Sequence, residues 1–243
     1  PPVHLLGQDD EGNPVLVMKR IRGIQLRDLL TNTKHPRWKS LPADRVKWKL
    51  DIFVQICNAV SYAHSKGVIH RDIKAENIMV GDFGEVYLLD WGVAMCRDSQ
   101  GGYRATCYAG TPAFSAPEMF QEGFLDEHTD VYLLGAFLHE LLTGRPRHEG
   151  GTLAKVVSNA MLSVPYQYRS SIDREIGDIC NRATHRVPAK RFQTVGTLRS
   201  AVIEYREARI GNALARGGLN ALKDLETGVR DGLSSEILRE RGI

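Results

Sequence analysis

The stretch His70-Arg71-Asp72-Ile73-Lys74-Ala75-Glu76-Asn77, followed in order by Asp90-Trp91-Gly92 and Ala116-Pro117-Glu118, gathers the side chains of this chain best suited to chemistry. Asn77 and Asp90 offer an amide and a carboxylate oxygen, hard donors of the kind magnesium takes. Two short apolar runs, Ile78 to Val80 and Val86 to Leu89, flank Gly81-Asp82-Phe83-Gly84-Glu85. That is the composition of a β-hairpin with a glycine-containing turn. A hairpin brings its open ends together, so Asn77 and Asp90 become neighbours able to share a metal ion. Asp82 lies at the far tip, about 10 Å from Asn77 at roughly 3.3 Å per strand residue, and reads as a solvated turn residue.

The three blocks, in this order, resemble the catalytic loop, the magnesium triplet and the end of the activation segment of protein kinases. Asp82-Phe83-Gly84 spells the magnesium triplet literally, yet the hairpin geometry selects Asp90-Trp91-Gly92, in which Trp replaces the usual Phe. The resemblance implies ATP as donor, Mg2+ as cofactor and a Ser/Thr hydroxyl of a protein as acceptor. It makes Asp72 the base that orients and deprotonates that hydroxyl, and Lys74 the cation that reaches the transferring phosphoryl group. Asn77 becomes a catalytic-loop residue and, with Asp90, a magnesium ligand. A Lys at 74 resembles serine/threonine kinases more than tyrosine kinases. The wording of Val68-Ile69-His70-Arg71-Asp72 and Leu89-Asp90-Trp91-Gly92 looks most like bacterial kinases of the eukaryotic-like type.

The same resemblance assigns supporting roles. Met18 looks like a gatekeeper and Lys19 to Ile21 like the interlobe hinge whose backbone meets the adenine edge, with Met79 beneath the adenine ring. Arg71 would meet a phosphate on the activation segment, which would run from Asp90 to Glu118 and carries Ser99, Tyr103, Thr106 and Thr111. Thr106 is the preferred regulatory site, and Thr111, within Gly110-Thr111-Pro112, would contact Asp72 and Lys74. Glu118 and Arg191 match a buried ion pair that anchors the segment, and Asp130 matches an Asp that holds the catalytic-loop backbone. Trp91 requires a partner for its indole N–H. Ala75 departs from a common Pro.

These residues need elements to hold them. His4 to Leu6 and Val15 to Met18 flank a polar Gly/Pro connection and read as an opening hairpin. Leu26 to Leu30 suggests a short helix, and Thr31 to Pro42 a polar loop. Between Asp44 and Ser65, Val46, Leu50, Phe53, Cys57, Val60 and His64 recur at helical spacing, with Gly67 where such a helix would end. His64 on that stripe reads as a packed histidine. Val68-Ile69 leads as a short strand into the catalytic loop. Helices are expected over 130–142, 153–162, 172–183 and 195–206. From Glu207 onward, Leu222, Leu225 and Val229 at helical spacing, broken by glycines, suggest short helices outside the catalytic core.

Composition bounds the rest. The chain has 243 residues, 42% of them hydrophobic and 25% charged, so a sizeable core can form. A net charge of +3 without a Lys/Arg run gives nucleic-acid binding no support. Cys57, Cys96, Cys107 and Cys180 are scattered, which suggests reduced thiols rather than a zinc site or disulfide framework. No apolar run is long enough to span a bilayer, and a cytoplasmic location is expected. The oligomeric state is left open.

The expected fold is therefore α+β and protein-kinase-like: a remnant of the N-lobe and hinge over 1–21, a helical C-lobe over 22–206 and a helical extension over 207–243. No Gly-x-Gly-x-x-Gly occurs in the sequence, and its first residues correspond to the fourth strand of a kinase small lobe. The expectation is a truncated kinase, inactive by itself, since nothing would cover the phosphates. The alternative is a pseudokinase or scaffold module that binds a protein partner without catalysis.

Overall fold

A computed structural model of the chain describes residues 3–98 and 101–212, together with 214, 215 and 219. The chain divides into two compact units, residues 1–203 and 204–243. The first holds all the residues that matter for the site, and mixes helices with four small antiparallel sheets, an α+β arrangement.

Two helices form its frame. Helix α2 (Arg45–Ser65) starts where the Asp44 side chain accepts hydrogen bonds from the Val46 and Lys47 amides at 3.1 and 2.9 Å, an N-cap that satisfies two otherwise orphaned donors. Its buried stripe comprises Ile52, Phe53, Ile56, Cys57, Val60 and Ala63. It ends before Gly67, whose φ of 68° few other residues tolerate. Helix α3 (Glu127–Thr143) is buried at every position from Thr129 to Leu141, a largely apolar span with Thr129, Asp130, His139 and Glu140 as its buried polar positions. Gly144 caps it in the left-handed conformation, its amide donating to Glu140 O at 2.8 Å. Helix α5 (Arg174–Ala183) crosses α3 so closely that a Cβ on Gly135 would meet the Ala183 Cβ at 2.6 Å. Helix α4 (Leu153–Leu162) precedes α5, and a helix that begins at 195 closes the unit.

Short strands fix the loops. β1 (Val3–Gln8) and β2 (Pro14–Met18) form the expected opening hairpin, with Leu5 opposite Val17 and Leu6 opposite Leu16. Its apolar side chains stay in solvent, Leu6 at 72% and Leu16 at 48% exposure. β3 (Gly23–Gln25), β5 (Ile78–Gly81) and β6 (Val86–Leu88) make one antiparallel sheet in the order β3-β5-β6, with Ile78 opposite Leu88 and Gln25 opposite Met79. β4 (Val68–Ile69) pairs with β7 (Met95–Cys96), and β8 (Tyr103–Ala105) with β9 (Gly123–Leu125). Helix α1 (Leu26–Thr31) follows β3 directly.

Helix α3 begins three residues before its expected start, because Asp126 rather than a later residue caps it, accepting from the His128 amide at 2.8 Å. Helix α5 begins two residues late, and a 3-10 turn over Pro36–Lys39 interrupts the expected polar loop. In the second unit, residues 204–212 are helical. Leu222, Leu225 and Val229, and Ser99 in the first unit, lie outside the described residues. Among the described residues no helix is long and apolar enough to cross a membrane. Cys57, Cys96, Cys107 and Cys180 are all free.

Candidate active site

The hairpin expected from the sequence sets the geometry. The β5–β6 ladder continues one step past Ile78 and Leu88, as the Leu89 amide donates to Asn77 O at 2.7 Å. Asp90 is thus one residue beyond the partner of Asn77, at the open end. The turn closes at the other end through Gly81 N to Glu85 O at 2.7 Å, and places Phe83 there with 94% of its surface exposed. Asp82 at this tip forms an ion pair with Arg37 at 3.2 Å, with half its side chain in water. The literal triplet is therefore a surface turn.

Around Asp72 the polar groups interlock. Thr111 Oγ1 donates to Asp72 Oδ1 at 2.7 Å and accepts from Lys74 Nζ at 2.5 Å. Lys74 Nζ also lies 2.9 Å from Asp72 Oδ2. Asn77 Nδ2 donates to both Asp72 Oδ2, at 2.9 Å, and Asp72 O, at 2.8 Å. Burial raises the Asp72 carboxyl, but the hydrogen bonds from Thr111, Lys74 and Asn77 outweigh it and hold the group below its usual range. Asp72 is thus an ionised acceptor at neutral pH. With its nitrogen engaged, Asn77 has its Oδ1 left for a cation, while Asp90 is exposed, its Oδ1 accepting from Gly92 N at 3.3 Å.

His70 links this loop to the hairpin. The Asp72 amide donates to His70 Nδ1 at 3.2 Å, so the proton of the neutral ring sits on Nε2, which donates to Leu89 O at 3.2 Å. Burial holds this imidazole below its ordinary pKa, consistent with the neutral form. The Trp91 ring stands edge-on to it at 4.5 Å, and the indole N–H finds Leu88 O at 3.2 Å. Asp130, fully buried on α3, accepts from the amides of His70 and Arg71 at 2.8 and 3.0 Å and is joined by His64 Nε2 at 2.8 Å. His64 is thus a structural partner of Asp130. The amides it orients belong to a strained turn, since Arg71 has φ of 67°, and Asp90 likewise has φ of 56°.

Arg71 is buried, and its Nε donates to Val93 O at 2.6 Å. Burial lowers its pKa, against the opposing fields of Cys107 and Asp130. Thr106 is exposed beside Cys107. Gly110 must be glycine: its φ is 136°, and a Cβ there would meet Arg71 O at 2.9 Å. Ser115 Oγ donates to Thr111 O at 2.9 Å and is joined by Tyr108 OH at 2.8 Å, while the Tyr108 ring stacks on Phe120 at 4.9 Å. Arg191, fully buried, makes a bidentate pair with Glu118 at 2.6 and 2.8 Å, shares Glu118 Oε1 with the Thr129 hydroxyl and donates to His128 O at 2.9 Å.

The nucleotide-side expectations are placed less tightly. Met18 ends β2 and Lys19 follows it, both exposed, and Ile21 is half-buried on the irregular link to β3. Met79 is half-buried on β5, opposite Gln25. Among the described residues no three His, Cys, Asp or Glu side chains are grouped to hold a metal, so a cation here would draw on the amide of Asn77 and the carboxylate of Asp90 and take its remaining oxygens from phosphate and water. That mixed donor set fits magnesium bound with a nucleotide rather than a metal caged by protein alone.

Sequence reasoning missed Glu140. This carboxylate is buried on α3, accepts from the Ala75 amide at 2.9 Å and pairs with Arg27 at 2.6 Å. Burial raises its pKa, while the Ala75 and Arg27 hydrogen bonds oppose the shift. A charged residue inside the apolar run of Val131 to Leu142 is the signal that could have revealed it, since such a charge needs partners.

Comparison with known proteins agrees with this arrangement. The family model described as protein kinase domain matches residues 7–203. The chain is 32% identical over 228 residues to the serine/threonine-protein kinase PknD of Chlamydia muridarum, covering 83% of this chain and 24% of that protein. It is 33% identical over 234 residues to PknD of Chlamydia trachomatis serovar D, covering 84% and 25%. To the serine/threonine-protein kinase PknB of Mycobacterium leprae it is 29% identical over 194 residues, covering 78% and 30%. The chain thus spans about a quarter to a third of the length of these relatives.

Proposed function

The chain belongs to the protein kinase family, and from that premise we propose that it carries the catalytic loop for transfer of the ATP γ-phosphoryl group to a Ser or Thr hydroxyl of a protein. The observation that carries this reading is the convergence of Thr111, Lys74 and Asn77 on the carboxylate of Asp72, with Asp90 brought to the same end of the hairpin as Asn77.

In this reading the substrate oxygen attacks the γ-phosphorus, the bond to the β–γ bridging oxygen breaks, ADP leaves, and the hydroxyl proton passes to Asp72. Asp72 orients the hydroxyl before it accepts that proton. Lys74 Nζ, held between Asp72 and Thr111, places a positive charge beside the transferring group, where phosphoryl transfer most needs it. Asn77 Oδ1 and Asp90 would hold magnesium, which when bound neutralises charge on the nucleotide phosphates. Met18, Lys19 and Ile21 would meet the adenine, with Met79 beneath it. Asp130 and the Glu118–Arg191 pair hold the loop and the segment in place.

We assign Thr106 as a regulatory phosphorylation site read by Arg71. Thr106 is exposed on the same segment as Val93, whose carbonyl Arg71 Nε meets at 2.6 Å, and an added phosphate would give Arg71 a strong anionic partner. The proposed division is an N-lobe remnant and hinge over 1–21, a C-lobe over 22–206 and an extension from 207, in a cytoplasmic domain. These residues alone should turn over little ATP: an isolated two-stranded hairpin is a poor lobe, and the sequence has no Gly-rich loop to cover the phosphates.

The test is transfer of labelled phosphate to peptides bearing Ser, Thr or Tyr, run on this chain and on any longer product of its gene, each beside Asp72→Asn. The reading requires Ser/Thr labelling that the substitution abolishes. Labelling that survives Asp72→Asn at full rate, or that appears only on Tyr, would sink it.

A further inference from the structure

Ala75 stands where the resembling kinases commonly carry proline, and the exchange has a structural counterpart elsewhere in the fold. Proline has no amide proton, whereas Ala75 has one, in a residue that is fully buried. Such a donor must find an acceptor within the protein. It finds Glu140 Oε2, at 2.9 Å. Glu140 projects from the C-terminal part of α3 and is itself fully buried, and its second oxygen receives Arg27 Nη1 at 2.6 Å. Each member therefore needs the next: the amide needs an acceptor, and the buried carboxylate needs a cation.

The junction of β3 and α1 makes a second contact with the same turn. Gln25 Nε2 donates to Glu76 O at 2.5 Å. The 3-10 turn Ala75–Asn77 is thus held from one side by Glu140 and Gln25, and from the other by the bonds between Asn77 and Asp72. These outer contacts join residues 51 to 113 positions apart, so they form only when β3, α1 and α3 have assembled.

We propose that Arg27 and Glu140 are positioning residues: they clamp the Ala75 amide and so fix where Asn77 stands relative to Asp72, supplying by hydrogen bonds the rigidity that a proline ring would otherwise give. The effect on nucleotide chemistry rests on the kinase reading above, whereas the clamp itself does not.

The experiment follows amide exchange at Ala75 by NMR, thermal unfolding, and Mg·ADP binding, in the chain itself and in Glu140→Leu, Glu140→Gln and Arg27→Met, each also combined with Ala75→Pro. Glu140→Leu should speed Ala75 exchange by about tenfold or more, as loss of its acceptor frees the amide to open locally. Glu140→Gln, which keeps one carbonyl oxygen, should restore much of the protection. The drop in unfolding midpoint caused by Glu140→Leu should be clearly smaller once Ala75→Pro has removed the donor. Mg·ADP affinity should fall with Glu140→Leu and recover in part with Glu140→Gln, a pattern that a remote packing defect would not give.

An equal midpoint drop in both backgrounds, or unchanged Ala75 exchange, would overturn the clamp. If Glu140→Leu does not fold, Arg27→Met carries the exchange measurement, with the same two outcomes. Should the unsubstituted chain bind no Mg·ADP, the link from the clamp to nucleotide binding is overturned for these residues, the Ser/Thr labelling test decides the kinase reading separately, and the exchange and unfolding data still decide the clamp.

Discussion

Thr111 donates a 2.7 Å hydrogen bond to Asp72 across 39 residues of chain, and accepts one from the lysine that also pairs with that aspartate. The stretch that carries Thr111 and the loop that carries Asp72 therefore meet through this hydroxyl as well as through the Arg71 bond to Val93 O. Thr111→Val keeps the shape and removes the bond. The Asp72 carboxyl should then titrate higher than in the unaltered chain, observed by NMR of its side-chain carbon, and phosphate transfer in an active product should fall by about tenfold, roughly 1.4 kcal/mol of barrier. An unchanged titration would show that Lys74 and Asn77 alone set the charge of Asp72.

Acid should unfold the protein in two stages. His139 and His148 are buried, and desolvation pushes both down to about 3, so the folded state keeps them neutral. The unfolded chain takes up protons near its ordinary value of about 6.5, so the stability they contribute is intact above that pH and is lost as pH falls from about 6.5 toward 3. The Asp72 carboxyl is shifted down as well. Its contribution is present above the unfolded carboxylate value of about 3.9 and disappears only as pH drops through the lower folded value. Urea unfolding at stepped pH should give a slope through the histidine window that His139→Phe makes shallower. A slope unaffected by that substitution would remove His139 from the account.

The two candidate magnesium triplets separate cleanly by mutation. Asp90→Ala should abolish the magnesium dependence of nucleotide binding, and chelation of magnesium should mimic it. Asp82→Ala should leave binding unchanged and alter stability by less than about 1 kcal/mol, the usual range of an exposed ion pair such as the one it forms with Arg37. Calorimetric titration with and without magnesium distinguishes these outcomes, and equal loss in both variants would contradict the hairpin argument.

The Glu118–Arg191 pair should be expensive to break and cheap to replace. Glu118→Ala leaves a guanidinium buried without a counter-charge, with backbone carbonyls and the face of the Tyr132 ring as partners, a loss of roughly 3 to 5 kcal/mol. Glu118→Leu combined with Arg191→Met should recover a large part of that stability in denaturant unfolding. A double variant as weak as the single one would mean that the pair fixes the segment in a way apolar packing cannot.

Motif order and hairpin composition make most of the candidate site legible in the sequence. Asn77 and Asp90 could be paired because strand period and turn length convert directly into distance, and Asp82 could be set aside on the same ground. Helix α2 was legible from its stripe and from Gly67 at its end. The strands β3, β7, β8 and β9 were not, since each is only two or three residues long and owes its existence to a partner distant in sequence. Glu140 showed in the sequence only as a charge inside an apolar run, because its role depends on Ala75 and Arg27, neither of which is near it in sequence. The tautomer of His70 likewise follows from two backbone groups that only the folded chain brings to the ring.

Asp90 sits with its backbone in a left-handed region that costs an L-residue about 1 to 2 kcal/mol, somewhat less for aspartate, and its side chain is exposed. Glycine at this position would relieve that tension and delete the proposed cation ligand in one step. Heat tolerance and turnover therefore pull this residue in opposite directions, and variants ranked by melting temperature alone would drift away from a working enzyme here first.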